Sequence, residues 1–406
     1  MNIIILNDYA KINGGAAKVA IDSAIGLAKQ GHRVIFFTAV GPIDPGLIKS
    51  GVKIIYLQQH DILNDPNRLR AAIQGLWNIV AAKQMADLLR QYSPENTIIH
   101  VHGWTKALSS SPIRVALQRG FKVVLTLHDY FIACPNGGFF DYQANTICQR
   151  HALSFSCITH NCDVRNYQEK IWRIIRQIIQ KYIGKIPSKI SGFIAVSNLS
   201  FKILREYIPS NSMIKVIPNP IEVKRVEPVD VSLNKEIVYI GRLSKEKGVE
   251  LFAEAIKKLD YQGVIVGDGP LINILRIQFP YIQFTGWLPN IEVQKILQKA
   301  RILVFPSLWY ETQGIVVLEA MSFGIPVIIS DTSIARDIVT DGITGLWFKG
   351  GDVIDLENKI NILLNNNELA KKIGFAAYNK FWENPFITQR YIDFLNEFYI
   401  QILMNK

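Results

Sequence analysis

Short runs of apolar, mostly β-branched residues alternate with longer segments of helical periodicity along the chain. Apolar runs of this length predict buried strands, and their alternation with helices predicts βαβ units and parallel sheets. The predicted strands of the first half span residues 3–6, 34–38, 54–57, 97–101, 122–127, 192–196 and 215–217. Those of the second half span residues 237–240, 264–266, 282–284, 302–305 and 327–329. The pattern predicts an α/β protein with two doubly wound, Rossmann-like domains.

A proline-rich segment, Ile217-Pro218-Asn219-Pro220, separates the two series of strands. Proline lacks an amide donor and disfavours helix in the residue before it, so this segment suits a hinge. We predict an N-terminal domain at residues 1–218 and a C-terminal domain at residues 219–384. A helix within residues 385–406 is expected to return to the first domain. Two such domains that face each other leave a cleft at the carboxyl ends of their strands, where ligands bind.

The composition excludes several classes of protein. The chain has 406 residues and is 49% hydrophobic, which allows two sizeable cores and gives no sign of disorder. No stretch approaches the roughly 20 unbroken apolar residues that a membrane-spanning helix needs. The first residues lack the basic flank of a secretion signal. We therefore expect a cytoplasmic protein.

Charge is unevenly distributed. Residues 1–220 contain 25 Lys and Arg against 12 Asp and Glu, whereas residues 221–406 contain 20 against 22. A basic half predicts an anionic partner, such as nucleic acid, an anionic membrane or a phosphorylated substrate, although an inert solvated surface carries the same charge. Charge alone does not choose among them.

A strand, a polar turn and a helix follow one another near residues 302–321. The strand ends at Pro306, the turn contains Glu311, and the helix begins near Gly314. Free amides and the positive end of a helix dipole form a site for a diphosphate. Glu311 lies where it can accept hydrogen bonds from sugar hydroxyls. Glu319 lies in an apolar run, where an unpaired carboxylate is costly, so we predict that it binds a ribose diol.

The spacing Glu-x7-Glu, with Gly314 between the glutamates and Ala320-Met321 after the second, resembles family 4 of the retaining glycosyltransferases, which have the GT-B fold. The segment Gly241-Arg242-Leu243-Ser244-Lys245-Glu246-Lys247-Gly248 matches the G-R-L-x-x-x-K-G motif of that family. The resemblance implies that Arg242 and Lys247 hold the donor diphosphate, a task that suits a planar fork and a point charge. The alternative is that both are surface charges.

The resemblance also implies a set of donor-binding residues around these motifs. Loops at residues 266–270 and 285–288 resemble those around the nucleotide base, and a glycine loop at residues 13–17 resembles one that faces the phosphates. Taken alone, that glycine loop is a tight turn and lacks the G-x-G-x-x-G pattern. The predicted donor-binding residues are Gly14, Gly15, Gly241, Gly267, Asp268, Gly286, Trp287, Gln313, Gly314, Ile315, Val316 and Glu319. The chain departs from the family at Asp337, where a glutamate is usual.

A histidine ends the predicted strand at residues 122–127. By resemblance, His128 lies near the transferred sugar and belongs to the catalytic group with Arg242, Lys247 and Glu311. The alternative is that His128 only caps its strand. His100 and His102 end another strand, and the sequence leaves open whether His102 lines the acceptor side or has a structural role.

The implied reaction is a transfer with retention of configuration, from a nucleotide-sugar to a polysaccharide or lipid-linked oligosaccharide such as that of a lipopolysaccharide. The leaving diphosphate helps to deprotonate the acceptor, and the protein stabilises its charge. The sequence contains no Asp-x-Asp, consistent with transfer without a metal, and we expect no cofactor and no nucleic-acid partner. A nucleotide-sugar epimerase of the same fold and a non-catalytic nucleotide-sugar-binding subunit remain alternatives.

Two further features lie in the basic half. An insertion at about 134–162 contains Cys134, Cys148, Cys157 and Cys162, which are either zinc ligands or reduced structural thiols; no Cys-x2-Cys is present. Residues 167–182 form an amphipathic helix with basic residues beside its apolar face. Such a helix either packs into its own domain or lies on an anionic membrane, here the inner face of the plasma membrane, where a lipid-linked acceptor would be found.

Overall fold

The computed structural model describes residues 1–405, which divide into two compact units. Unit 1 comprises residues 1–138, 150–220 and 388–405, and unit 2 comprises residues 139–149 and 221–387. One of the places where the chain passes between the units is therefore Pro220, within the predicted hinge. Residues 139–149, which the sequence analysis placed in the first domain, group with unit 2 instead.

Unit 1 is built on a seven-stranded sheet whose paired strands are all parallel. The strands before residue 220 are β1 (Asn2–Tyr9), β2 (Arg33–Val40), β3 (Lys53–Tyr56), β4 (Thr97–Val101), β5 (Lys122–Leu127), β6 (Phe140–Asp141), β7 (Thr146–Ile147), β8 (Gly192–Ala195) and β9 (Met213–Val216). The sheet order is β3-β2-β1-β4-β5-β8-β9, and β6 and β7 form a separate antiparallel ribbon. Every residue of β4 is buried, as expected for a parallel sheet covered on both faces.

Helices connect these strands. They are α1 (Gly15–Lys29), α2 (Pro45–Lys49), α3 (Arg68–Leu76), α4 (Ile79–Leu89), α5 (Ser111–Gln118), α6 (Phe155–Thr159), α7 (Tyr167–Tyr182) and α8 (Asn198–Leu204). The starts of three of them are stabilised locally, since the side chains of Asn67, Asn78 and Asn166 each accept a hydrogen bond from an amide of the first turn.

Unit 2 contains a six-stranded parallel sheet. Its strands are β10 (Glu236–Ile240), β11 (Gly263–Val266), β12 (Gln283–Gly286), β13 (Ala300–Phe305), β14 (Val327–Ser330) and β15 (Leu346–Phe348), in the order β12-β11-β10-β13-β14-β15. Its helices are α9 (Val249–Leu259), α10 (Ile272–Gln278), α11 (Asn290–Lys299), α12 (Ile315–Ser322), α13 (Val353–Asn365) and α14 (Asn367–Glu383). The final helix, α15 (Thr388–Met404), belongs to unit 1.

Both sheets have the doubly wound order, which confirms the predicted fold class. The order reverses beside the first strand of each unit, between β1 and β4 and between β10 and β13. Ligands of open α/β sheets bind at such a reversal, beyond the carboxyl ends of the strands. The residues that follow β10 and β13 therefore lie where a ligand of unit 2 is expected to bind.

Candidate functional site

The loops after β10 and β13 are in direct contact. The amide of Leu308 donates a hydrogen bond to the carbonyl oxygen of Glu246 at 2.9 Å. Gly248 has a φ of 67°, and a Cβ placed there would lie 2.1 Å from the carbonyl oxygen of Pro306. Only glycine allows this approach, so the G-R-L-x-x-x-K-G motif ends where the two loops must touch.

This contact brings Lys247 and Glu311 together as an ion pair. The side chain of Glu311 is 8% exposed and also accepts a hydrogen bond from the hydroxyl of Ser307 at 3.3 Å. The Lys247 ammonium lies 5.0 Å from the centre of the Trp309 ring. A buried carboxylate needs such a partner. Because an ammonium has three N–H donors, Lys247 retains donors for an anionic ligand while it neutralises Glu311.

The rest of the loop after β10 is held by its neighbours. The Tyr239 hydroxyl donates to the carbonyl oxygen of Arg242 at 3.0 Å, and the Ser244 hydroxyl donates to the buried Glu246 carboxylate at 2.7 Å. The Arg242 side chain is exposed. Arg242 therefore extends from an anchored backbone into solvent.

The loops after β10, β11 and β12 lie side by side. The amide of Gly241 donates to Val266, and the amide of Gly267 donates to Gly286, at 3.0 and 2.9 Å. A Cβ on Gly267 would lie 1.9 Å from the carbonyl oxygen of Gly241, so this position also requires glycine. Asp268 is exposed and accepts the amide of Gly269, and Trp287 is 60% exposed. The predicted donor-binding residues Gly241, Gly267, Asp268, Gly286 and Trp287 therefore all lie at one edge of the sheet.

Helix α12 begins at the same edge. Its N-cap is Gly314, no side chain caps it, and its first turn contains no acidic residue. The positive end of its dipole is therefore uncompensated by the helix's own side chains. Gln313, Ile315 and Val316 are half-buried there. Glu319, one turn further, is only 7% exposed.

In unit 1, the predicted glycines begin helix α1. Gly14 and Gly15 are exposed, and a Cβ on Gly14 would meet nothing within 4 Å. Packing inside the protein therefore does not explain why position 14 is a glycine.

His128 follows β5 and is half-buried. Its Nε2 lies 2.9 Å from Nδ1 of His102, whose Nε2 lies 3.2 Å from Nδ1 of His100. Burial lowers the pKa of His128 and of His100 to about 3 and holds the pKa of His102 well below its usual value. All three rings are therefore neutral at neutral pH. Because β4 and β5 are paired, the three histidines form one hydrogen-bonded chain rather than three separate strand ends.

The cysteine-rich insertion is arranged around a lysine. Within residues 1–405, no three or more His, Cys, Asp and Glu side chains lie close enough to hold a metal ion. The buried Lys170 ammonium instead donates to the sulfur of Cys162 at 3.0 Å and faces that of Cys157 at 3.7 Å. A cation therefore lies against these two sulfurs, and both alternatives, zinc ligands and structural thiols, stay predictions. Cys134 is buried, and Cys148 lies in the segment that groups with unit 2.

Helix α7 has the predicted bounds, but its polar side is the buried one. Lys170, Arg176, Gln177 and Gln180 are buried, and the guanidinium of Arg176 donates to the carbonyl oxygens of Thr105 and Pro135. The predicted apolar face is largely exposed instead. Among its members, Ile171, Ile175, Ile178 and Tyr182 are 44, 43, 41 and 60% exposed.

Helix α3 extends this exposed apolar face. The Trp172 indole donates to the carbonyl oxygen of Ala72 at 3.2 Å, and a Cβ on Gly75 would lie 2.7 Å from the Trp172 ring, so α3 and α7 pack closely. On α3, Leu69 is 72% and Ile73 is 56% exposed. We call the following residues the apolar surface: Leu69, Ile73, Ile171, Ile175, Ile178 and Tyr182. No helix within residues 1–405 is both long and apolar enough to cross a bilayer.

The sequence analysis missed two residues of these sites. Trp309 packs against the Lys247 ammonium, and Tyr399 on α15 places its hydroxyl 2.6 Å from Nδ1 of His100. Trp309 could have been predicted as a site residue, because it is an aromatic residue two positions before Glu311 in the same turn. No pattern in the sequence joins Tyr399 to a strand about 300 residues earlier.

Comparison with known proteins agrees with this geometry. The family model "Glycosyltransferase Family 4" matches residues 13–225, more than half of the chain, and "Glycosyl transferases group 1" matches residues 222–380. The chain belongs to Glycosyltransferase Family 4. Asp337 lies within the second match, so its departure from the usual glutamate does not remove the chain from the family.

Two curated relatives match over part of their length. A Klebsiella pneumoniae protein described as an "uncharacterized 41.2 kDa protein in cps region" is 26% identical over 57% of this chain and 66% of its own length. An Escherichia coli UDP-Gal:alpha-D-GlcNAc-diphosphoundecaprenol alpha-1,3-galactosyltransferase is 26% identical over 50% of this chain and 58% of its own length. The chain thus spans less than two thirds of the length of either relative.

Solved structures share the fold. A sucrose-phosphate synthase from Thermosynechococcus elongatus covers 100% of both chains with a TM-score of 0.74 and 20% identity. The HepE protein of Anabaena, solved in complex with UDP-glucose, covers 99% of this chain and 100% of its own with a TM-score of 0.67 and 17% identity. These likenesses confirm the predicted GT-B fold class.

Proposed function

We propose that this protein is a retaining glycosyltransferase that moves a sugar from a nucleoside-diphosphate sugar to a glycan or lipid-linked glycan. The observation that carries the proposal is the arrangement after β10 and β13. There Lys247 forms an ion pair with Glu311, which lies on the loop that leads into the start of α12, where no side chain caps the helix.

A diphosphate suits this arrangement because each of its two phosphate groups can be stabilised by a separate positive element of the site. The start of α12 at Gly314, which no side chain caps, and the helix dipole stabilise one phosphate. The ammonium of Lys247 and the guanidinium of Arg242 stabilise the other, with Arg242 suited to bidentate contact. We assign Glu311 to accept hydroxyl hydrogens of the sugar and the buried Glu319 to bind the ribose diol. The loops with Asp268 and Trp287 then surround the base.

The reaction breaks the bond between the sugar's anomeric carbon and the diphosphate oxygen, and forms a bond from that carbon to an acceptor hydroxyl on the same face. The hydroxyl proton passes to the leaving phosphate oxygen. Charge grows on the diphosphate as the bond breaks, so Lys247, Arg242 and the α12 start stabilise the transition state more than the ground state. These cations supply the positive charge in a chain without an Asp-x-Asp motif, and we therefore propose that no metal is needed. We assign His128 to the transferred sugar.

The relatives' names support both substrate classes. The Escherichia coli relative is named for a UDP-sugar donor and a diphosphoundecaprenol-linked acceptor, and the HepE structure holds UDP-glucose. We infer that the acceptor of this chain is also a lipid-linked glycan.

We further propose that the apolar surface rests on the anionic inner face of the plasma membrane. Exposed isoleucines on one side of α7 are costly in water, while the polar residues that would normally be solvated are buried. Exposed cations lie on the same elements, Arg68 on α3 and Lys181 on α7, and the exposed Lys189 lies seven residues after the end of α7. An apolar face flanked by cations binds an anionic lipid interface, which the excess of positive charge in residues 1–220 also favours.

Vesicle sedimentation tests the membrane proposal. Wild-type protein is expected to bind vesicles with about 30 mol% of anionic lipid. The double variant Ile171→Glu with Ile175→Glu is expected to weaken this binding by about 30-fold or more, because burying each of these exposed isoleucines in the lipid interface contributes more than about 1 kcal/mol. Ile277→Glu, an 81% exposed isoleucine on α10 of unit 2, is the matched control. Equal binding by both variants would place the contact elsewhere.

The transferase proposal is tested in two stages. A panel of nucleotide-sugars is screened for thermal stabilisation, since a ligand that binds only the folded protein raises Tm. The stabilising donor, labelled in its sugar, is then incubated with lipid-linked glycans, and the anomeric configuration of the product is read by NMR. A product with inverted configuration, or epimerisation of the donor without an acceptor, would contradict the proposal. Binding without turnover would favour a non-catalytic subunit.

A further inference from the structure

The histidines of unit 1 form a longer chain of hydrogen bonds than the proposed reaction uses. Tyr399 on α15, His100 and His102 on β4 and after it, and His128 after β5 are linked in series at 2.6, 3.2 and 2.9 Å. Tyr399 and His100 are fully buried, and His102 is 3% exposed. A chain of this kind fixes the proton positions of its members, because a neutral imidazole has one N–H and one acceptor nitrogen.

The proton positions follow from the buried end. The contact between the Tyr399 hydroxyl and Nδ1 of His100 is the shortest in the chain, and burial raises the pKa of Tyr399 above its usual value, so the hydroxyl keeps its proton. Within residues 1–405 this hydroxyl has no other hydrogen-bond acceptor, so Tyr399 donates its proton to Nδ1 of His100. The other nitrogen of His100, Nε2, must then carry the ring proton, which it donates to the hydroxyl oxygen of Thr126 at 2.7 Å.

The same constraint passes to the next two rings. Nδ1 of His100 carries no proton and also lies 3.2 Å from Nε2 of His102, so Nε2 of His102 is the donor in this longer contact, and Nδ1 of His100 accepts from both Tyr399 and His102. Nδ1 of His102 is then an acceptor, and Nε2 of His128 must donate to it. His128 is thereby a neutral ring with its proton on Nε2 and an acceptor at Nδ1.

We propose that His102 is a positioning residue that holds His128 in the Nε2–H tautomer, with the direction of this hydrogen bond set by Tyr399 through His100. The inference rests on the proposed function, in which His128 contacts the transferred sugar. In this tautomer, Nδ1 of His128 accepts a hydroxyl hydrogen of the sugar. The opposite tautomer would present a donor to the same hydroxyl and would lose that interaction.

Two amide variants of His102 separate the contacts that its ring makes. In His102→Asn, the side-chain amide takes the place of Nδ1, so its oxygen can accept from His128. In His102→Gln, the longer amide takes the place of Nε2, so it keeps the contact with His100 and leaves His128 without its acceptor. The two variants have the same chemistry and differ in which partner they retain.

The first readout is independent of any substrate. Protein with 15N-labelled histidine has only seven histidines, and the His128 signal is assigned from His128→Gln. Wild type and His102→Asn are expected to show His128 protonated on Nε2 alone, and His102→Gln to show a mixture of tautomers. Tyr399→Phe is expected to produce a mixture at His100. A wild-type His128 protonated on Nδ1, or a His100 unaffected by Tyr399→Phe, would overturn the proposal.

The second readout is turnover. His102→Gln is expected to lower kcat by about tenfold with little change in donor KM, since loss of a group that orients a reacting residue typically costs 10–100-fold. His102→Asn is expected to recover most of that loss. Equal kcat in the two variants would overturn the positioning role. If the NMR result is as expected but neither wild type nor any variant transfers sugar, the proposed function is wrong. The assigned proton positions of the hydrogen-bonded chain then still stand.

Discussion

The polar groups after β10 and β13 of unit 2 and those after β4 and β5 of unit 1 lie at equivalent places in two similar sheets, yet they are held in opposite ways. In unit 2, a carboxylate and an ammonium form an ion pair beside the uncapped start of a helix. In unit 1, two buried histidines and the half-buried His128 are neutral rings. The first arrangement offers charge to a charged ligand. The second is uncharged, and it fixes which ring nitrogen donates and which accepts, because the proton position on each histidine depends on that of the next.

The largest effect is expected from removing the cation of unit 2. Lys247→Ala should lower kcat/KM for sugar transfer by about 100-fold, the loss typical of one group that stabilises a leaving or developing anion. Lys245→Ala, an exposed lysine in the same short 3-10 helix, is the matched control and should remain within about twofold of wild type by the same argument. Thermal unfolding of both variants checks that the now unpaired Glu311 has not unfolded the loop. Equal activity in the two variants would show that Lys247 is a surface charge.

A smaller effect is expected at the ribose position. Glu319→Ala should weaken binding of the nucleotide-sugar by at least about tenfold, roughly 1.4 kcal/mol, because a charged hydrogen-bond acceptor is lost. Glu254→Ala, an exposed glutamate on α9, is the control. Calorimetry measures both. Wild-type affinity in Glu319→Ala would remove this residue from the donor site.

The smallest effect is expected in unit 1, on the pH dependence of the unfolding free energy. Because the pKa values of the three histidines are lowered from 6.5, the unfolded chain binds more protons than the folded one below pH 6.5. Their neutral state therefore contributes stability above pH 6.5, and this contribution is lost as the pH falls toward 3. His102→Asn removes one of the three groups, so the loss of unfolding free energy on acidification should be smaller by up to about 1.4 kcal/mol per pH unit.

Denaturant unfolding at pH 6.5, 5.5 and 4.5 measures this difference. Asp129, whose pKa burial raises to about 6, changes stability in the opposite direction, but it is present in both proteins and cancels in the comparison. Parallel pH dependences in wild type and His102→Asn would show that His102 is charged in the folded protein.

Much of the fold and of unit 2's site could be predicted, because the relevant signals are local. Each strand is a compact apolar run, and Lys247 and Glu311 lie in glycine-containing turns directly after strands. Strand β15 was missed because its three residues, Leu346-Trp347-Phe348, include no β-branched residue. The contact of Tyr399 with His100 could not be predicted, since it depends on how α15 packs against a sheet formed far earlier in the chain.

Helix α7 shows the limit of periodicity more clearly. Its bounds followed from the apolar spacing, but the spacing does not say which face is buried. In this case the buried face contains Lys170, Arg176 and Gln180, because backbone carbonyls and the sulfurs of Cys157 and Cys162 satisfy them. Such partners come together only in the folded unit, so tertiary structure decides which face of an amphipathic helix is buried.

The central claim is that unit 2 binds a diphosphate between the cations after β10 and the start of α12. It is tested most directly by measuring Kd for a nucleoside diphosphate and for the matching monophosphate, in wild type, Lys247→Ala and Lys245→Ala. UDP with UMP, GDP with GMP and ADP with AMP are titrated in turn, and the base that binds is used. The account predicts that the diphosphate binds more tightly than the monophosphate in wild type and Lys245→Ala, and that Lys247→Ala abolishes most of this advantage. An advantage of the same size in all three proteins would contradict it.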